Sequence, residues 1–430
     1  MADFTLAADR GLLRNRAFLA IWSAQILSQV AANAITSALI VLVAELTKSN
    51  TSSSILILLA IVPAVLFGII AGVVVDRSER RRVLVVTNAL RAAAVAPLLF
   101  LGQSIATAYI VNFLVAAITV FFGPAEAAML PSIVRKRDLL VANSLFTFTF
   151  NGAFLVGFII LAPVVIALAG FEALFILTAA MFASAALLCV TLPAAPKAET
   201  AVIGLDVAGF AAARTRRNVG EALRFLRTAP VVTWSLVYIA LTYTLVAVAG
   251  ALAPGFVREV LGVGERNTII LIGPAGVGVV AGLGALNLVG RRLRQPRAIG
   301  VGLLVVLTAL LALAAARPLA GLFRGATSAQ LGEAFPFFVA IVAATSFVFG
   351  IAYAFITVPA MTMLQEELHD QIRGRVFGVL NMLVSVFSFL PLLVVGPIAD
   401  VWGIAPVFVG AAGIVGIVYL GGRQTRARMA

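Results

Sequence analysis

Residues 55–82 read ILILLAIVPAVLFGIIAGVVVDRSERRR, an uncharged apolar run that ends in a cluster of arginines. About 20 apolar residues are enough for a helix to cross a bilayer, so the run at 55–75 is long enough for one span. Residues 92–125 form another uncharged run. The period-two alternation of an outer-membrane barrel is absent from both runs. This stretch therefore predicts a membrane-spanning helix followed by a basic loop.

The composition agrees with a membrane protein. Hydrophobic residues make up 62% of the 430 positions and charged residues 11%, whereas soluble domains carry about 25% charged residues. The net charge of +13 comes from short clusters between apolar runs, without the aromatic interleaving of a nucleic-acid surface. One cysteine, Cys189, and one histidine, His369, are too few for a disulfide framework or a metal site. We expect no cofactor, no metal and no nucleic-acid partner.

Twelve apolar segments follow one another along the chain. They cover residues 17–46, 53–75, 83–102, 105–130, 139–169, 171–192, 230–256, 267–290, 298–316, 335–364, 372–400 and 402–422. Gly102, Gly170 and Gly403 mark the shortest breaks as tight turns. The basic, amphipathic stretch between the sixth and seventh segments predicts a linker with an interfacial helix. The expected domains are a six-helix bundle at 1–192, a cytoplasmic linker at 193–229 and a second six-helix bundle at 230–430.

The distribution of basic residues predicts the orientation of the chain. With both termini in the cytoplasm, 25 of the 31 Lys and Arg residues fall in cytoplasmic segments and 5 in outer loops, while Arg91 lies within a span. Cytoplasmic loops of membrane proteins are enriched in Lys and Arg in this way. We therefore expect a multi-pass protein of the inner (plasma) membrane of a prokaryote, with both termini cytoplasmic.

The two halves of the chain resemble each other. Pro124-Ala125 near the end of the fourth span recurs as Pro359-Ala360 near the end of the tenth, and Asn143 and Asn381 follow in the next spans. Such matched order indicates an internal duplication, which is common among transporters. The expected fold is an all-α membrane protein with twelve transmembrane helices in two pseudo-symmetric six-helix halves.

The loop between spans 2 and 3 carries the most specific motif, Gly72-Val-Val-Val-Asp76-Arg77-Ser-Glu-Arg80-Arg81-Arg82. It resembles the G-x-x-x-D-R-x-G-R-R loop of the major facilitator superfamily. The matching residues, which this resemblance assigns to gating, are Gly72, Asp76, Arg77, Arg80 and Arg81. Glu79 stands where the family has its second Gly, and the second-half copy, Gly290-Arg291-Arg292-Leu-Arg294, lacks the Asp.

Further strings resemble the enterobactin-exporter and macrolide-efflux branch of that superfamily. They are Phe121-Phe-Gly-Pro-Ala-Glu126-Ala-Ala-Met-Leu-Pro131, Gln371-Ile-Arg373-Gly-Arg375-Val-Phe-Gly378 and Gly396-Pro-Ile-Ala-Asp400-Val-Trp-Gly403. No Arg begins span 4 as in drug–proton antiporters. The antiporter motif of span 5 is reduced to Gly152, Gly157 and Pro163. The resemblance thus implies an exporter, with proton antiport as an open expectation.

Polar residues form stripes on spans 1, 4, 7, 10 and 11. Gln25, Gln29, Asn33 and Ser37 follow at i, i+4 spacing on one face of span 1. Spans 1, 4, 7 and 10 line the central cavity in the superfamily that the chain resembles, so we expect a cavity, although such residues also join helix to helix. The candidate substrate-binding residues are Gln25, Gln29, Asn33, Asn112, Thr119, Glu126, Tyr238, Thr242, Tyr353 and Asn381.

Arg91 and Glu126 are the two charges set deepest in spans. Each lies nine residues from a basic cluster, or about 13 Å at ~1.5 Å per residue, so both have a similar depth. A lone charge at depth costs about 3 kcal/mol or more, so such groups pair or face water. We expect Glu126 to be the coupling residue with Arg91 as its resting partner. A static brace between spans 3 and 4 is the alternative.

These features together predict a secondary transporter that exports a small amphipathic organic compound, of the drug or siderophore type, by alternating access. Protons are the candidate coupling ion, and the partners are the substrate and the lipid bilayer. The alternatives are a lysophospholipid flippase on the same fold and a non-transporting receptor or assembly factor. ATP-driven pumping is not expected, because the chain has no P-loop string. An enzyme is not expected, because no cluster of His, Asp or Glu could hold a metal or activate a nucleophile. We expect a monomer.

Overall fold

The computed structural model describes residues 12–100, 104–194, 229–289, 294–324, 328–367 and 391–423. All regular structure in these ranges is helical, and ten helices are long and apolar enough to cross a membrane. Large apolar side chains such as Leu168 and Leu187 are 83% and 69% exposed. Such exposure is unfavourable in water but suits a surface that faces lipid.

The chain divides into two compact units, of which the first contains residues 1–46 and 58–207. Its polar core lies where α3 packs against α5 and α7. Thr47, the last residue of α1, and the first two turns of α2 belong to the second unit. The helices are α1 Arg16–Thr47, α2 Asn50–Arg77, α3 Arg80–Val95, α4 Pro97–Phe100, α5 Ile105–Ile133, α6 Leu139–Phe154, a π-helix at Leu155–Leu161 and α7 Ala162–Val190.

The second unit contains residues 47–57 and 208–430. In its core α11 packs against α8, α9 and α10. A Cβ added at Gly350 would lie 1.9 Å from the carbonyl oxygen of Ala275, so α9 and α11 touch through their backbones. The helices are α8 Pro230–Phe256, a π-helix at Val257–Leu261, a 3₁₀ turn at Glu265–Thr268, α9 Ile269–Val289, α10 Gln295–Arg324, α11 Ser328–Glu367, α12 Pro391–Trp402 and α13 Ile404–Gly421.

The helices confirm the expected all-α fold. The fifth and sixth spans form one continuous apolar stretch, Val141–Val190, which Gly170 interrupts with φ 82°. Gly403, with φ 83°, separates α12 from α13 in the same way. Glycine adopts these positive φ values without the steric cost that other residues meet. Gly102, the first part of span 11 and the expected linker helix within 193–229 lie outside the described residues.

Candidate functional site

The polar stripe of α1 divides into two pairs. The Gln25 amide donates to the carbonyl oxygen of Phe146 at 3.2 Å, and the Ser37 hydroxyl donates to that of Phe158 at 2.9 Å. Gln25 and Ser37 are both buried. Their hydrogen bonds join α1 to α6 and to the π-helix at Leu155–Leu161. Gln29 and Asn33, between them, are partly exposed, so the middle of the stripe is the part that can meet a ligand.

The π-helix at Leu155–Leu161 lies against this middle part of the stripe. A Cβ added at Gly157 would lie 2.4 Å from the carbonyl oxygen of Val30 and 3.0 Å from the Cβ of Asn33. Only glycine allows this approach, which gives Gly157 a packing role that its place in a reduced antiporter motif did not reveal. Single-turn π segments within α-helices are frequent at functional sites.

Arg91 is fully buried in the first unit and is held by an amide rather than by an acid. Its Nη2 donates to Oδ1 of Asn88 at 2.9 Å, and that oxygen also accepts a hydrogen bond from the Ser28 hydroxyl. The guanidinium carbon lies 4.4 Å from the ring centroid of Phe122 and 5.0 Å from that of Phe182. Cation–π contacts of this kind contribute about 2 kcal/mol when they are desolvated.

Glu126 is 7% exposed and lies in the same interior. Its Oε1 and the Nη1 of Arg91 both lack a hydrogen-bond partner within the described part of the chain. No ion pair joins Arg91 and Glu126, both of which are described. The guanidinium is directed to Asn88 instead of the carboxylate, and the role of Arg91 as partner of Glu126 stays a prediction.

The other candidates of the first unit lie on α5. Asn112 is buried, at 2% exposure. The Thr119 hydroxyl donates to the carbonyl oxygen of Val115 one turn earlier, at 2.7 Å. Thr119 is partly exposed, so its hydroxyl oxygen can still accept a hydrogen bond. Asn112 thus contributes to the bundle interior, whereas Thr119 can contact a ligand.

The candidates of the second unit lie on α8 and α11. Tyr238 is fully buried beside Trp234, with ring centroids 5.8 Å apart. Thr242 is also buried and donates to the carbonyl oxygen of Tyr238. Tyr353 is partly exposed and lies near Tyr243. The structure therefore leaves Tyr353 as the accessible member of this set, while Asn381 lies outside the described residues.

The gating loop places its arginines on helix ends. Arg80 donates to the carbonyl oxygen of Ala128 at 2.8 Å, and Arg81 donates to that of Leu192 at 3.1 Å. Glu79 has φ −68°, an ordinary value for any residue, so the turn does not require the family's second Gly. The Glu79 carboxylate lies 2.6 Å from Nε of Arg82.

The remaining residues of the gating motif are open. Asp76 and Arg77 are exposed, and no ion pair to Asp76 is found among the described residues. A Cβ at Gly72 would meet nothing within 4 Å. Asp76 therefore makes no contact with Arg80, which is directed to Ala128 instead, and the start of span 11 lies outside the described residues.

An apolar groove of about 820 Å³ runs along the first unit between α2, α3 and α5. Phe67, Val86 and Phe121 are among its apolar walls, and Arg77 and Arg82 lie at one end. Within the described ranges, no group of three His, Cys, Asp or Glu residues could hold a metal ion.

The sequence motifs did not identify the polar network around the start of α2. The Asp400 carboxylate accepts hydrogen bonds from the backbone of Asn50 and Thr51, and Lys48 pairs with Glu265. Asp400 was visible only as part of a branch-like string. Its contact is 350 residues away in sequence, which no local pattern could show.

This architecture is that of a polytopic helical membrane transporter. The family model described as Major Facilitator Superfamily matches residues 21–390, so the chain belongs to the major facilitator superfamily and is a secondary transporter. No curated protein sequence matches it significantly.

Solved structures of transporters share its fold. The nucleoside transporter NupG aligns at 16% identity with a TM-score of 0.66, over 96% of this chain and 98% of that chain. The POT family transporter PepTSo aligns at 13% identity with a TM-score of 0.67, over 97% and 99%. A bacterial homolog of the human lysosomal transporter Spinster gives 13% identity and 0.67, over 96% and 98%. At these identities the likeness shows the fold alone, and it confirms the expected major facilitator architecture.

Proposed function

We propose that this transporter exports a small amphipathic organic compound by alternating access and that protons drive the export through Glu126. The observation that carries the proposal is the buried Glu126 carboxylate, whose Oε1 has no partner among the described residues. A buried ionisable group is costly and is typical of proton relays and substrate pathways in transporters.

The Arg91–Asn88 contact supplies a means of controlling the charge on Glu126. A cation in contact with a carboxylate favours its ionised form, whereas burial without a partner favours its protonated form. Glu126 would therefore hold a proton while Arg91 lies at the Asn88 oxygen and release it when Arg91 contacts Glu126. Movement of Arg91 would in this way couple proton binding to the conformational cycle. The Asn88 oxygen also accepts a hydrogen bond from the Ser28 hydroxyl, so it keeps one donor when the guanidinium moves away.

The accessible candidates support an amphipathic substrate. Among the candidate substrate-binding residues that the structure describes, the partly exposed ones are Gln29, Asn33, Thr119 and Tyr353. They offer amide, hydroxyl and phenol groups without a fixed charge, on helices that are otherwise apolar. We propose that these four residues contact the substrate and that Gln25, Asn112, Tyr238 and Thr242 support them from the interior.

The proposed setting is the inner membrane of a prokaryote, with both termini cytoplasmic. The support is the concentration of Lys and Arg in one set of loops. The export direction rests on the resemblance of the span 4–5 and span 11 strings to the enterobactin-exporter and macrolide-efflux branch. The gating roles of Gly72, Asp76, Arg77, Arg80 and Arg81 rest on the same kind of resemblance.

Purified protein in proteoliposomes with an imposed pH gradient tests the proposal. A substrate screen should include amphipathic drugs, siderophores, nucleosides and peptides, the last two because structurally similar transporters carry those names. We expect Glu126→Gln to abolish gradient-driven transport, while Glu172→Gln, which makes the same change at an exposed acid, leaves it unchanged. A Glu126→Gln protein that still concentrates substrate with normal pH dependence would show that coupling lies elsewhere.

A lysophospholipid flippase is the second candidate, and the groove between α2, α3 and α5 favours it. Its apolar walls suit a single acyl chain, and Arg77 at its end suits a phosphate group, whereas Arg82 there is already paired with Glu79. Fluorescent lysophospholipid should then cross the proteoliposome membrane, and Val86→Trp in the groove should slow it more than Glu126→Gln does. Equal rates with and without the protein would exclude this candidate.

A further inference from the structure

The beginning of α2 is capped by a carboxylate from α12. Oδ1 of Asp400 accepts from the backbone N–H of Asn50 at 2.7 Å, and Oδ2 accepts from that of Thr51 at 3.0 Å. The hydroxyls of Ser49 and Thr51 also donate to Oδ2, at 2.7 and 2.6 Å. The first N–H groups of a helix have no partner within the helix, and its N-terminus attracts negative charge. Asp400 therefore meets both needs at once.

Gly396 makes this cap possible. It lies one helical turn before Asp400, and a Cβ added there would lie 2.7 Å from the Cα of Thr51 and 3.0 Å from the carbonyl oxygen of Asn50. Both of these atoms belong to the backbone and cannot move aside as a flexible side chain could. The Gly-x-x-x-Asp string at 396–400 thus provides both a close approach and a cap.

Ion pairs hold the same segment from a second direction. Nζ of Lys48 lies 2.9 Å from Oε1 of Glu265, and Nη1 of Arg258 lies 3.5 Å from the same oxygen. The Glu265 side chain is only 3% exposed. The Asn50 amide donates to Oε1 of Glu259 at 3.3 Å. The connection between α1 and α2 is therefore fixed to the end of α12 and to the segment that follows α8.

The string Gly72-Val-Val-Val-Asp76 has the same spacing but a different state. A Cβ at Gly72 would meet nothing within 4 Å, whereas one at Gly396 would collide with backbone. Both carboxylates are exposed, but Asp400 accepts four hydrogen bonds, whereas no bond to Asp76 is found among the described residues. The Gly396–Asp400 string is therefore engaged in this conformation, and the Gly72–Asp76 string has no partner within the described part of the chain.

We propose that Gly396 and Asp400 form a latch on the start of α2, which is closed in this conformation and opens as the Gly72–Asp76 string engages. The proposal rests on the alternating-access cycle proposed above, in which the two ends of the protein open in turn. In the proposed topology the latch lies at the outer end and the Gly72–Asp76 string at the cytoplasmic end. Asp400 would then be a gating residue of the transport cycle, with Gly396 as its positioning residue.

Cysteine labelling of the full chain in nanodiscs tests the latch without a substrate or a gradient, so the result is independent of proton coupling. Ser53→Cys reports on the latch because Ser53 is 1% exposed, and Gly72→Cys reports on the other string. The native Cys189 is fully buried. In the Asp400→Ala background we expect maleimide to label position 53 at least tenfold faster and position 72 at least threefold more slowly. Asp400→Asn, which keeps one acceptor oxygen, should give a smaller change in the same directions.

Two controls separate the latch from a fold defect or a local cap. Glu172→Ala should change neither labelling rate, and hydrogen exchange of α11, in the core of the second unit, should remain unchanged in the Asp400 variants, which shows that this unit is folded. If position 53 becomes reactive while position 72 is unaffected in Asp400→Asn and Asp400→Ala, Asp400 is a local helix cap and the latch is refuted. Unchanged labelling at position 53 would refute it as well.

Discussion

The hydrogen bond between Asn88 and Arg91 should hold an unusually large part of the stability of the first unit. Leucine at position 88 has a similar volume but cannot accept the bonds from Arg91 Nη2 and Ser28. Hydrogen bonds to charged groups contribute about 1.5–3 kcal/mol, and a neutral bond contributes about 1 kcal/mol. We expect Asn88→Leu to lower the free energy of unfolding by about 3–4 kcal/mol.

A double-mutant cycle isolates the contact itself. Arg91→Met removes the guanidinium and its contacts with Phe122 and Phe182, so Asn88→Leu should cost less when no charge remains to be stranded. We expect a coupling energy of about 1.5 kcal/mol or more, as for other hydrogen bonds to charged groups. The two side chains lie one turn apart on α3, and the charged donor is fully buried.

Unfolding in mixed micelles titrated with sodium dodecyl sulfate, followed by tryptophan fluorescence, measures these energies. Thr119→Val is the matched control, since its hydroxyl bonds only within α5, and we expect a loss of about 0.5 kcal/mol. If the effects of Asn88→Leu and Arg91→Met add to within about 0.5 kcal/mol, the two side chains are not coupled. The role of Asn88 as the resting partner of Arg91 would then be wrong.

Three further outcomes are expected. Asp76→Asn should cut transport severalfold while the protein stays folded, and unchanged transport kinetics would count against a gating role for this residue. Gly350→Val should lower the free energy of unfolding by about 3 kcal/mol, since overpacking against backbone forces a shift; Gly68→Val, where nothing lies within 4 Å, should change it by less than about 0.5 kcal/mol. Cysteines introduced at 214–217 and at 262–266 should react from opposite faces of the membrane, and labelling from one face would end the proposed topology.

The helices themselves could be predicted closely from local sequence. The segments expected at 17–46 and 230–256 are observed as Arg16–Thr47 and Pro230–Phe256. Hydrophobic length fixes such spans because a backbone in lipid must satisfy its own hydrogen bonds within a helix. The breaks at Gly170 and Gly403 could be predicted for the same local reason, since a positive φ favours glycine.

The partners of the buried polar groups could not be predicted from spacing. The spacing to the basic clusters predicts a similar depth in the membrane for Arg91 and Glu126. Depth alone, however, does not predict the direction in which a long side chain points. The Asn88 oxygen that accepts the hydrogen bond from Arg91 also accepts one from Ser28. Ser28 lies on α1, 60 residues away in sequence. Likewise, even i, i+4 spacing placed Gln25 and Gln29 on one face, yet only the packing of α6 made one buried and left the other partly exposed.

The sequence by itself determined that this chain lies in a membrane as helices and carries the loop motif of a major facilitator transporter, because those properties depend on hydrophobic length and on residues adjacent in the chain. Tertiary structure alone decided that the Gly396–Asp400 string caps a helix. Gly72–Asp76 and Gly396–Asp400 have the same spacing, but a cap exists only where another helix begins within hydrogen-bonding distance. That helix start, at Asn50, lies 350 residues from Asp400, and folding alone brings the two together.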